Sequence, residues 1–216
     1  MEAEEIYRNV ILLTFPTQYE LTSTLLRFQE YYESPEFKGK VFTVEEFADW
    51  YKKITRNEEF TYYTDWNGFN FPADALGPFG HFYLFDEQMP DITEKEKAVV
   101  ETCERITKDR HQLFYVLGVH EEGGIEYALD HEIAHAFFCT SKVYRDKVLK
   151  VINKIPPPVW VDMVKFLKEH LYHPSVWFDE INAYGATGFP KENPLPKDVC
   201  EELNALFIAQ KDTMSN

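Results

Sequence analysis

An α+β fold in a single domain is what the sequence predicts, on three observations. Short β-rich runs stopped by turn residues, such as Arg8–Phe15 ahead of Pro16 and Phe114–His120 ahead of Glu121–Gly124, all lie before Ile125. Helical patterns alternate with them there, and from Ile125 onward every patterned segment is helical. The 216 residues, 44% of them hydrophobic, suffice for one sizeable core, and no linker or internal repeat divides them.

In chain order, the strand over Arg8–Phe15 leads into a helix from Gln18 to about Tyr32, with Leu21, Leu25 and Phe28 on one face. Thr43-Val-Glu-Glu46 is a capping box that starts a helix through about Ile54, and Thr93-Glu-Lys-Glu96 opens another to about Ile106. Between them the aromatic stretch Phe60–Phe85, punctuated by Pro and Gly, reads as strand and irregular structure; its rings either fill a core or form a platform for substrate. The strand Phe114–His120 precedes the apolar helix Ile125–Phe138, an order that allows it to be an edge beside whatever that helix carries, with His120 at its end. Helices over 143–155, 159–172 and 175–187 follow, and after the Pro-rich Pro190–Pro196 comes a last amphipathic one, clearest over 197–210. The single domain thus divides into an N-terminal α+β part (1–113), a strand and helices around the Ile125 segment (114–187) and a C-terminal helix (196–212).

Charge narrows the function. Lys+Arg 22 against Asp+Glu 37 gives a net charge of -15, the wrong sign for neutralising nucleic-acid phosphates or docking on anionic lipid. The longest apolar runs fall far short of the roughly 20 residues of a membrane span, and the acidic start lacks the basic region of a signal peptide. A cytoplasmic protein that binds neither nucleic acid nor membrane is the expectation. Cys103, Cys139 and Cys200 are too dispersed for a disulfide framework or a zinc knuckle.

The chemistry lies in the helix Ile125–Phe138, where residues 131–135 read His-Glu-Ile-Ala-His. Positions i and i+4 share a helix face, so His131 and His135 can converge on one ion while Glu132 reaches a water beside it. The plainer reading, in which the histidines bond to core carbonyls, must explain why Asp130, His131, Glu132 and His135 crowd an otherwise apolar helix. Two histidines leave a zinc site incomplete. Phe138 and Ser141 stand where a metzincin-type site has its Gly and third His. The next candidate is Trp177-Phe-Asp-Glu-Ile-Asn-Ala-Tyr-Gly185. At about 100° per residue, Glu180 lies within about 60° of the stripe Trp177, Ile181, Tyr184, and Asp179 points nearly opposite. Glu180 is therefore the expected third ligand and Asp179 an outer-face residue. Cys139 continues the 131, 135 stripe but sits too far along the helix for the same ion. His81, His111, His120 and His170 show no partner pattern.

His131, Glu132, His135 and, in its Glu-x-x-Ala-Tyr setting, Glu180 resemble the zincin superfamily of metallopeptidases and within it the gluzincins, over roughly residues 114–187. The resemblance implies a zincin-like domain with a small sheet packed on the motif helix, one zinc per chain, and hydrolysis of a peptide or protein substrate. The thermolysin-like Asp four residues after the ligand Glu, which supports a ligand His, is replaced by Tyr184. The Asp of aspzincins is replaced by Ile181, so the Tyr184-Gly185 likeness carries no ligand. In the implied reaction a zinc-activated water attacks the carbonyl, Glu132 is the general base, and one protein donor stabilises the oxyanion. Tyr184 ranks first as that donor, with His173, Tyr144 and Tyr172 as further options. The alternative is a non-catalytic zincin-like domain, with a structural metal or none, that binds a protein partner.

Overall fold

The computed structural model describes residues 1–80, 92–107, 113–122, 125–189 and 194–214. His81, His111, the end of the aromatic stretch to Phe85 and the Gly123-Gly124 turn lie outside the described residues. The chain is α+β, as expected, and divides into two compact units, Met1–Ile125 and Glu126–Asn216.

The first unit is built on a four-stranded mixed sheet among the described residues. Strand β1 (Glu2–Tyr7) and strand β2 (Val10–Phe15) form an antiparallel hairpin. The turn between them puts Asn9 at φ 66, a left-handed conformation that Asn tolerates better than most side chains. Sequence reasoning missed β1, whose Glu-rich pattern leaves half of it exposed and none of it buried, as suits an edge strand. Helix α1 (Gln18–Glu33) follows, its first turn capped by the Thr17 hydroxyl, which accepts from Glu20 N at 3.1 Å. Helix α2 (Val44–Thr55) opens with the expected capping box at Thr43 and Glu46. The aromatic stretch then yields a short helix α3 (Tyr62–Asp65), strand β3 (Gly68–Pro72), a 3-10 turn at Ala73–Leu76 and the single turn α4 (Gly77–Gly80). Tyr62, Phe69, Phe71 and Phe79 are all buried, so its described rings serve mainly as core. Helix α5 (Glu94–Thr107) precedes strand β4 (Tyr115–His120), which lies parallel to β2 and antiparallel to β3, giving the order β1-β2-β4-β3.

Helix α1 lies on this sheet because β4 offers it a flat place. A Cβ built on Gly118 would come 2.3 Å from Leu25 Cδ1 and 2.8 Å from Leu21 Cδ1. The buried Arg27 of α1 forks onto Glu96 of α5, Nε to Oε1 at 2.7 Å and Nη2 to Oε2 at 2.6 Å. That carboxylate also closes the capping box by accepting from Thr93 N at 2.8 Å, so one side chain both starts α5 and neutralises the buried guanidinium.

The second unit is helical among its described residues: α6 (Ile125–Thr140), α7 (Lys142–Ile152), α8 (Pro157–Glu169), a 3-10 turn at Pro174–Val176, α9 (Trp177–Thr187) and α10 (Lys197–Met214). Each starts within a few residues of where the sequence places it. Helix α9 is central: Asp179 through Ala186 are all buried, and it packs against α7, α8 and α10. Its contact with α10 depends on Gly185, where a Cβ would stand 2.4 Å from Leu203 Cδ1. Among the described residues no helix is long and apolar enough to cross a membrane.

Candidate metal centre

Helix α6 carries His131, Glu132 and His135, and the i, i+4 spacing brings the two rings side by side with Nε2 atoms 3.3 Å apart. Helix α9 brings the third group: Glu180 Oε1 lies 3.6 Å from His135 Nε2. One ligand atom from each of His131, His135 and Glu180 can be chosen so that all lie within 4.8 Å of one another. The helices are held in this relation by Asn182 of α9, which donates to Ala134 O at 3.1 Å and accepts from Tyr144 OH at 2.8 Å. The last turn of α6 is closed by Arg145, whose Nη1 donates to Phe138 O at 2.7 Å and Cys139 O at 2.8 Å.

These groups fit a divalent cation. Two nitrogens bound tetrahedrally to zinc at about 2.0–2.1 Å stand about 3.3 Å apart, the observed Nε2 separation, and the oxygen is only a few tenths of an ångström wider. Charge points the same way. Glu132, Asp179 and Glu180 are all buried, and His135 lies 2.9 Å from Asp179 and 3.6 Å from Glu180. Among the described residues Glu180 Oε2 is buried without a hydrogen-bond partner. Burial raises the Glu180 and Asp179 carboxyls, partly opposed by His135 at both, by Arg145 at Asp179 and by Tyr172 at Glu180. Burial also opposes charge on His135, but Asp179, Glu180 and Glu132 outweigh it and push the ring up to about 10. His131 goes the other way, lowered by burial and by its neighbour His135. A cluster that must otherwise borrow protons to balance its carboxylates is one a dication neutralises.

Asp179 requires a correction. It does not lie on an outer face: it is 5% exposed, and its Oδ1 lies 2.9 Å from His135 Nδ1. At 2.9 Å the carboxylate is within reach of the ring Nδ1–H, and among the described residues neither atom has another hydrogen-bond partner. The phase argument failed because α9 is buried almost all round and has no outer face at that position. Thr187, which the sequence did not single out, stands 3.3 Å from His131 Nδ1 through its hydroxyl.

The candidate donors sort themselves. Tyr184 stands at the site, its ring 4.6 Å from that of His131 and its hydroxyl 3.0 Å from Tyr172 OH. Tyr172 also bonds to the Glu180 carboxyl, which it helps hold in its charged form. Tyr144 is committed to Asn182, and His173 Nδ1 accepts from Ser175 N at 3.2 Å, a local capping role. His170 bonds to Phe166 O within its own helix turn. His120 belongs to the first unit, paired with Asn67 Oδ1 at 3.2 Å. Asp130 pairs with Lys211 at 2.7 Å.

No family model, no curated protein and no solved structure matches this chain.

Proposed function

We propose that the protein is a zinc-dependent hydrolase of the gluzincin kind, acting on peptide bonds, with the zinc on His131, His135 and Glu180. The observation that carries the reading is the convergence of these three side chains from two helices, with the buried Glu132 close enough for its charge to be felt by both His135 and Glu180. A zinc ion held by these residues would supply Lewis acidity and would lower the pKa of a bound water from 15.7 to about 7. The remaining chemistry belongs to the chain. Glu132 takes the proton of the attacking water and returns it to the leaving amine. Tyr184 turns its hydroxyl hydrogen from Tyr172 OH, 3.0 Å away, to the oxyanion as the carbonyl becomes tetrahedral. Zincin-like packing of the motif helix on a small sheet, a cytoplasmic location and a peptide or protein substrate belong to the same reading.

A second reading has support of its own. His135, Glu132 and Glu180 are at most 5% exposed, which suits a closed metal that ties α6 to α9 in a non-catalytic, protein-binding domain. Glu132→Gln distinguishes the two. The hydrolase reading expects peptide turnover to fall at least 100-fold, given the size of general acid-base effects (about 10²–10⁴), with zinc still bound at one per chain by elemental analysis. Unchanged turnover in the variant, or none in the zinc-loaded wild type against a broad peptide library, would favour the structural reading.

A further inference from the structure

We infer that α9 sets the tautomer of both motif histidines, Thr187 holding His131 and Asp179 holding His135, so that each ring presents Nε2 to a common cation. This rests on the metal reading above and adds two positioning residues to it. Thr187 Oγ1 donates to Ala183 O at 2.8 Å. With its hydrogen spent there, the hydroxyl can only accept at His131 Nδ1, 3.3 Å away, which places the proton of that ring on Nδ1. Asp179, with its carboxylate 2.9 Å from His135 Nδ1, places a proton on the same atom of the second ring.

Both Nε2 atoms are then free as ligands, and they are the atoms that face each other at 3.3 Å. The two supports flank the ligand on one helix, Asp179 just before Glu180 and Thr187 two turns beyond it. Helix α9 therefore supplies the third ligand and orients the other two. No carboxylate four residues after Glu180 is needed, because Asp179 does that work from the preceding position, on His135. The absence of Asp at Tyr184 is thereby accounted for.

The test uses the full-length protein, stripped of metal and titrated with zinc against a chromophoric chelator. Asp179→Ala and Thr187→Val should each weaken zinc binding about 10- to 100-fold, the usual cost of losing such a support, and Thr187→Ser should restore it. In the zinc-loaded wild type, long-range proton–nitrogen NMR should show Nδ1 protonated and Nε2 ligating in both rings. A merely structural role for these side chains would not fix that pattern. Ligation through Nδ1 in either ring overturns the inference, as does zinc affinity within about twofold of wild type in folded Thr187→Val. Should Asp179→Ala fail to fold, the Thr187 pair and the wild-type spectra still decide. A folded wild type that binds no zinc removes the metal reading and this inference with it, whereas zinc bound normally by the variants removes the inference alone.

Discussion

Glu30 is the residue whose surroundings most directly set a measurable property of the first unit. It is buried on α1, accepts from Tyr62 OH at 2.6 Å, and burial pushes its carboxyl up from the ordinary value near 4.5 to about 7, with Tyr62 and Ser34 opposing the rise. The folded protein thus keeps a proton that the unfolded chain releases. Glu30 contributes its full stability below about pH 4.5, loses it as pH rises toward about 7, and is constant above that, a span of about 3 kcal/mol. Glu30→Gln keeps a group that accepts from Tyr62 and cannot titrate. Urea unfolding of both proteins from pH 4 to 8 should show wild type losing about 3 kcal/mol relative to the variant across that window; parallel profiles would show that Glu30 stays charged. At the candidate metal centre the residue scale was partly legible. His131, Glu132 and His135 announce themselves because their spacing belongs to one helix. Thr187 gave no signal, because its role exists only once α9 lies beside α6.

Among elements, the contacts that place helices are made where a side chain is missing. Gly118 in the middle of β4 lets the Leu21 and Leu25 methyls of α1 reach the strand, and Gly185 does the same for Leu203 between α9 and α10. These leucines are fully buried, so they have little room to turn away from a new methyl. Gly118→Ala and Gly185→Ala should each cost about 1–3 kcal/mol, as overpacking does, read as a lower midpoint in urea with an unchanged slope. Gly185→Ala should also weaken zinc binding by shifting the helix that carries Glu180. Gly118→Ala, confined to the sheet of the first unit, should leave it unchanged. The longer helices were legible to within a few residues, since capping boxes and apolar stripes are local, whereas the short α3 was not. Strand β1 was not, because a polar edge strand is defined by its partner β2.

For the whole molecule, the consequence of the proposed site is linkage between metal and folding. Ligands on α6 and α9, separated along the chain by α7 and α8, come together only in the folded second unit. Zinc at 100 times its dissociation constant should stabilise that unit by about 2.7 kcal/mol, raising its melting temperature in wild type and leaving it unmoved in His131→Ala. Equal shifts in both proteins would place the metal elsewhere. The acidic balance of the chain, -15, argues against polyanionic partners at this same scale. The sequence by itself determined the α+β class, nearly every helix, and a histidine pair with its neighbouring glutamate, because each is written within one turn or one stripe of a single element. Only the tertiary structure decided that the chain forms two compact units, that Asp179 faces His135, and that Thr187 meets His131. Those facts depend on which helix lies against which, and a helix buried on every side carries no periodicity from which its neighbours can be read.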